Sequence, residues 1–155
     1  MVEIFQYNWQ VREDWFRWCE TISEEELRKE RTGGMKSILH NLYHVIDCEQ
    51  LWINQLRQQP VIQKDIHSIT RLAEIIDFAN ETKTATEEFL RNWTKEQEEK
   101  CLVIQSKTGQ TYTFPYKKVL HHIITHEIHH IGQLSVWARE LDQKPVSSDL
   151  ITRDF

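Results

Sequence analysis

The chain has 155 residues, near the size of one domain and long enough to bury a core without staples, so a single domain over residues 1–155 is expected. Hydrophobic residues make up 39% and charged residues 28%, with only four Gly and three Pro, which favours long helices over a loop-rich all-β fold. Nineteen Lys and Arg against 24 Asp and Glu give a net charge of -5, so no basic excess is available for phosphates or anionic lipid, and neither nucleic acid nor a membrane is expected as a partner.

From Val2 to about Ile22, Ile4, Val11, Trp15, Trp18 and Ile22 recur at helical spacing, and Phe5, Trp9 and Phe16 widen the apolar face. The charged run Ser23 to Arg31 reads as a solvated turn and helix end, and the Gly33-Gly34 pair breaks the chain. Ile38, Leu42, Val45, Trp52 and Leu56 mark a second helix ending near Pro60. A third begins after Ser68 and runs through Leu72, Ile75, Ile76, Ala79, Phe89, Leu90 and Trp93, with a polar middle from Glu81 to Thr86. Leu102-Val103-Ile104 and Thr111-Tyr112-Thr113-Phe114, separated by Thr108-Gly109, predict a small hairpin. Pro115 suits the first turn of a fourth helix that runs to about Leu141 and is stopped by Pro145, and the last ten residues read as a tail along the surface. The expected fold is all-α, an antiparallel four-helix bundle with a small β-hairpin before the last helix.

Cys19, Cys48 and Cys101 are odd in number and widely spaced, without a C-x-x-C, which argues for a reducing compartment rather than a disulfide framework. The N-terminus carries Glu3 instead of a basic start and an apolar run, and no segment approaches the ~20 apolar residues of a membrane span. A cytoplasmic protein is expected. The six Trp fall largely at core spacing, so packing accounts for most of them, with one or two left for a pocket mouth.

Five of the eight histidines fall between Lys118 and Ile131, in the run KVLHHIITHEIHHIGQL. At about 100° per residue, Val119, Ile123, Leu134, Trp137 and Leu141 share a face that contains His130 and has His126 on its shoulder. His122 and His129 lie further round, and His121 points away. His126 and His130 are one turn apart, close enough to bind the same ion. They can also be read as core histidines satisfied by neighbours. Two in register favour the metal, because burying two unpaired imidazoles costs desolvation twice, whereas one ion satisfies both lone pairs. A third ligand must come from another helix, where His40 and His44 are again four apart with Cys48 one turn beyond; spacing does not rank them, and Cys48 serves equally as a small buried filler.

The segments HVIDCEQLW (His44 to Trp52) and HEIHHIGQL (His126 to Leu134) resemble the DinB-like superfamily, which includes bacillithiol S-transferases and mycothiol-dependent maleylpyruvate isomerases. In that family a His precedes a Glu by five residues and a Trp by eight on the second helix, as His44, Glu49 and Trp52 do. The later motif carries metal ligands four apart and ends in a His-His pair followed by x-Gly-Gln, matching His126 and His130. Tyr7-Asn8 is similar to the opening of the family's first helix. The resemblance implies a divalent metal held by His44, His126 and His130, with Zn or Ni ahead of Fe or Mn, and a small thiol and an electrophile as partners. It also implies that a homodimer is to be expected. Many members carry Arg where this chain has Ile131, so no role of that Arg carries over.

His126 to His130 also reads as H-E-x-x-H, the zinc-peptidase signature in which Glu127 is the general base. The positions where a metzincin continues hold Gln133 and Val136, and too little chain follows Leu141 for a later acidic ligand. Glu127 lies within the apolar face, where an unpaired carboxylate is costly. It is either an ion-pair partner of Arg12 or Arg17, or a catalytic base beside the metal. Three functions are therefore expected in order: a metal-dependent thiol S-transferase, a non-catalytic module in which the metal staples two helices, and a hydrolase using Glu127.

Overall fold

The computed structural model describes residues 1–154. Helix α1 (Val2–Cys19) stops three residues before Ile22 because Thr21 and Ile22 close tight turns onto the carbonyls of Trp18 and Cys19. The charged run after it is not wholly solvated. It folds into a short helix, α2 (Glu24–Arg28), whose N-cap Ser23 side chain accepts from the Glu26 amide at 3.2 Å and whose Leu27 is buried. Three acidic residues in that first turn suit the positive end of the helix.

Helix α3 (Ile38–Leu56) is capped by Ser37, which accepts from the His40 amide, and it ends where Gln58 turns to a φ of 56°. Helix α4 (Leu72–Arg91) runs unbroken through the polar stretch, because Thr82 and Thr86 face inward and the Thr82 hydroxyl donates to the Phe78 carbonyl. A short helix the sequence reading did not anticipate, α5 (Lys95–Glu99), follows a reciprocal Thr94/Gln97 cap. Strands β1 (Cys101–Gln105) and β2 (Thr111–Pro115) pair antiparallel, with Leu102 opposite Phe114 and Ile104 opposite Tyr112, across a turn that holds Gly109 at a φ of 83°. Helix α6 (Tyr116–Glu140) begins one residue later than expected: Pro115 is extended and is the N-cap, not part of the first turn.

The four long helices surround two adjoining apolar clusters. One contains the late residues of α1 (Val11, Trp15, Cys19) and α6 (Ile131, Leu134, Trp137), with the early residues of α3 (Leu39, Leu42) and α4 (Ile75, Phe78). The other reverses this, with Phe5 and Val119 beside Ile53, Leu56, Phe89 and Leu90. Thus α1 and α6 run one way, and α3 and α4 the other. The neighbouring pairs α1/α4 and α3/α6 are antiparallel as expected, while α3 and α4 are parallel and residues 57–71 carry the chain back along the bundle. That return is tied down by the Gln50 side chain, which accepts from the Ile62 amide and donates to its carbonyl. The tail lies along α1 through Tyr7 to Ser148, Trp18 to Lys144 and Arg153 to Asp14.

Charged side chains sit deep in the bundle as well. Arg12 of α1 is 3% exposed and donates to Glu127 of α6 at 2.9 and 2.6 Å and to Glu49 of α3 at 2.7 Å; Trp9 also donates to Glu49. Arg17, the other candidate partner of Glu127, lies at the surface beside Asp14. Removing one member of such a buried group strands the others without water. Arg12→Met should lower the free energy of unfolding in urea by about 3–5 kcal/mol, whereas Arg17→Ala should change it by no more than about 0.5 kcal/mol. Equal effects from the two would contradict this assignment.

Candidate metal centre

The antiparallel contact of α3 and α6 brings His44 opposite His126 and His130. The Nε2 atoms of His44 and His126 are 3.1 Å apart, and one ring nitrogen from each of the three residues lies within 4.8 Å of the others. A tetrahedral ion with bonds of about 2.0–2.1 Å sets neighbouring ligand nitrogens about 3.3 Å apart, so the His44 and His126 pair stands near the required spacing. Three imidazoles are a donor set that can hold a divalent ion.

The tautomer of His130 follows from its neighbour Asn41, which is fully buried. The Asn41 amide nitrogen is 3.0 Å from the His130 carbonyl, which only accepts, so Asn41 must present its oxygen to His130 Nδ1, also at 3.0 Å. Nδ1 therefore carries the proton, and the Nε2 lone pair is free. Gly34 makes this seat possible. A Cβ on Gly34, whose φ is 48°, would come within 2.9 Å of Asn41 Oδ1 and 3.1 Å of Trp137. Asn41 was not singled out from the sequence. Its signal is its position one turn before His44, which reads only as helix polarity until α6 is packed against it.

Burial biases all three imidazoles toward the neutral form that a metal ligand needs. Burial pushes His126 down to about 4, helped by the neighbouring His130 and His44, and pushes His130 down to about 4 with help from His44. His44 is also lowered by burial, against the pull of Asp47.

Other candidate residues are placed elsewhere. His40 faces His67, with ring centroids 6.0 Å apart, and does not join the group. His121, His122 and His129 are exposed. Cys48 is half-buried one turn beyond His44, and burial pushes its thiol up to about 12, so it stays protonated. Glu127, the candidate base, directs both carboxylate oxygens to Arg12 rather than into the histidine group. Burial pushes its carboxyl up from the ordinary range while Arg12 pulls it down. This is the ion-pair arrangement weighed from the sequence, with Arg12 as partner.

The whole described chain, residues 1–154, matches the DinB family profile. The chain belongs to the DinB family. A curated relative, the protein YizA of Bacillus subtilis (strain 168), is 41% identical over 153 residues, which cover 99% of this chain and 95% of that one. A crystal structure of a DinB-like protein from Bacillus cereus ATCC 10987 superposes with a TM-score of 0.69 at 18% identity, covering 93% of this chain and 94% of the other. That likeness supports the DinB-like helical fold with its two-stranded sheet. Within this DinB chain, the three histidines form a group that can hold a metal ion.

Asn41 is not one of the three donors, and its contacts with His130 make it a positioning residue. Asn41→Ala should weaken zinc affinity by about 10–100-fold, measured by competition with a chromophoric chelator, while far-UV circular dichroism stays helical. Unchanged affinity would show that Asn41 is a packing residue only.

Proposed function

We propose that His44, His126 and His130 hold one divalent ion, Zn or Ni ahead of Fe or Mn, and that the loaded protein transfers a small thiol of the bacillithiol type onto an electrophile. One observation carries the reading: among the described residues, three donors gather and a fourth does not. A metal that only staples helices is closed by four protein ligands, whereas a working site keeps a position open. Cys48, His122 and Glu127, the candidates for closing it, are not part of the group.

When bound, the ion supplies a Lewis acid that stabilises a thiolate near neutral pH. The chain's own part is to keep three imidazoles neutral, to fix His130 through Asn41, and to hold α3 and α6 in register. Overall, a C–S bond forms, the leaving group departs with its electron pair, and the thiol proton passes to solvent. Three free cysteines suit a reducing compartment, where such thiols are kept reduced. No helix of the described residues is long and apolar enough to cross a membrane. The hydrolase reading requires Glu127 to leave Arg12, and both Arg12 contacts to it count against that.

Elemental analysis of untagged protein, paired with conjugation of bacillithiol to 1-chloro-2,4-dinitrobenzene, tests this reading. Wild type should carry near-stoichiometric metal and conjugate the thiol, and His44→Ala and His130→Ala should lose both. Glu127→Gln should retain metal and measurable conjugation. Metal-loaded wild type that neither binds nor conjugates a thiol would remove the transferase reading, and metal-free wild type that refuses Zn and Ni on titration would remove the site.

A further inference from the structure

The packed seam between α3 and α6 continues past the histidines. His44, Cys48 and Trp52 follow at successive turns on α3, and Lys118, His122 and His126 do the same on α6. Rings step away from the triad in sequence: His126 to His122 at 5.5 Å, His122 to Trp52 at 5.6 Å, and Trp52 edge-on to Phe114 at 6.2 Å. They end at a cavity of about 210 Å³ lined by Trp52, Phe114, Lys118, Val119 and His122.

The lining gives the chemistry of an occupant. Three of its five residues present ring faces or edges and Val119 is aliphatic, so the walls suit a flat apolar group. A cavity of about 150 Å³ already accepts benzene, so this one has room for a substituted ring. Lys118 is exposed at the rim; its neighbour Lys117 is paired with Glu98, whereas no ion pair engages Lys118 among the described residues. Four residues of helix separate His122 from His126 by about 6 Å along the axis, a gap that a side arm of about five bonds on a seated ring spans.

We propose that this cleft seats the aromatic body of the electrophile one helical turn from the ion-binding histidines, with Lys118 at its mouth favouring an acidic substituent. The role of the occupant rests on the thiol-transfer reading; the cleft's affinity for such a ring does not. The proposal also gives the hairpin a task, since β2 delivers Phe114 as the outer wall and so helps set which electrophiles fit.

The test uses 4-toluenesulfonate, which is not an electrophile, with neutral 4-methylbenzyl alcohol as control. Binding to the full-length protein is followed by ligand-observed NMR, with and without zinc. Saturable binding is expected in both forms, weakened about tenfold by Phe114→Leu or Trp52→Leu. Lys118→Glu, on the exposed rim where folding is not at issue, should weaken the sulfonate about two- to fivefold and leave the alcohol unchanged. Metal content should stay at the wild-type level in all three variants. The cleft proposal fails if the sulfonate does not bind, or binds wild type and all three variants equally. Sulfonate binding without thiol conjugation would instead overturn the transferase reading and leave the cleft standing.

Discussion

The bundle is organised around one buried cation. Arg12 extends from α1 to a carboxylate on α3 and another on α6, between the two apolar clusters. Since α1 and α3 are diagonal in the bundle, this side chain links helices that otherwise barely meet. A buried ion pair adds little net stability over an apolar substitute, because desolvation cancels most of the attraction. Its consequence here is positional. Glu49 lies five residues after His44, and Glu127 is the residue next to His126, so holding the two carboxylates holds the rotation of both helices that carry the histidines.

With rotation set, the remaining requirements at the centre are local. Gly34 leaves room for Asn41, Asn41 orients His130, and burial favours the neutral form of all three imidazoles. His44 and His126 can share one N–H···N contact, but His126 Nδ1 is left buried without a partner, which makes the crowded group poor core filler. The same crowding is an advantage for binding a cation. The proposed transfer chemistry and the aromatic cleft both lie along the seam between α3 and α6.

Much of this was legible in the sequence. Helical periodicity located the four long helices, and the alternating runs around Gly109 located the hairpin. His130 on the apolar face and His126 on its shoulder are where the wheel put them. The choice of His44 over His40 came from family resemblance, because two histidines four apart on one helix differ only in what the opposing helix presents. The parallel course of α3 and α4 was not legible, since a fifteen-residue connection has no periodicity and its direction is decided by packing. Nor were α2, α5 or the role of Asn41. Short capped helices lack enough turns to show a period, and a lone polar residue declares its task only when its partner is in place.

The most direct measurement is X-ray absorption of the cobalt-loaded protein, with and without a small thiol. The account predicts three imidazole nitrogens at about 2.0–2.1 Å with solvent completing the shell, and a sulfur scatterer near 2.3 Å once the thiol is added. A shell closed by a fourth protein ligand and unchanged by thiol would contradict it.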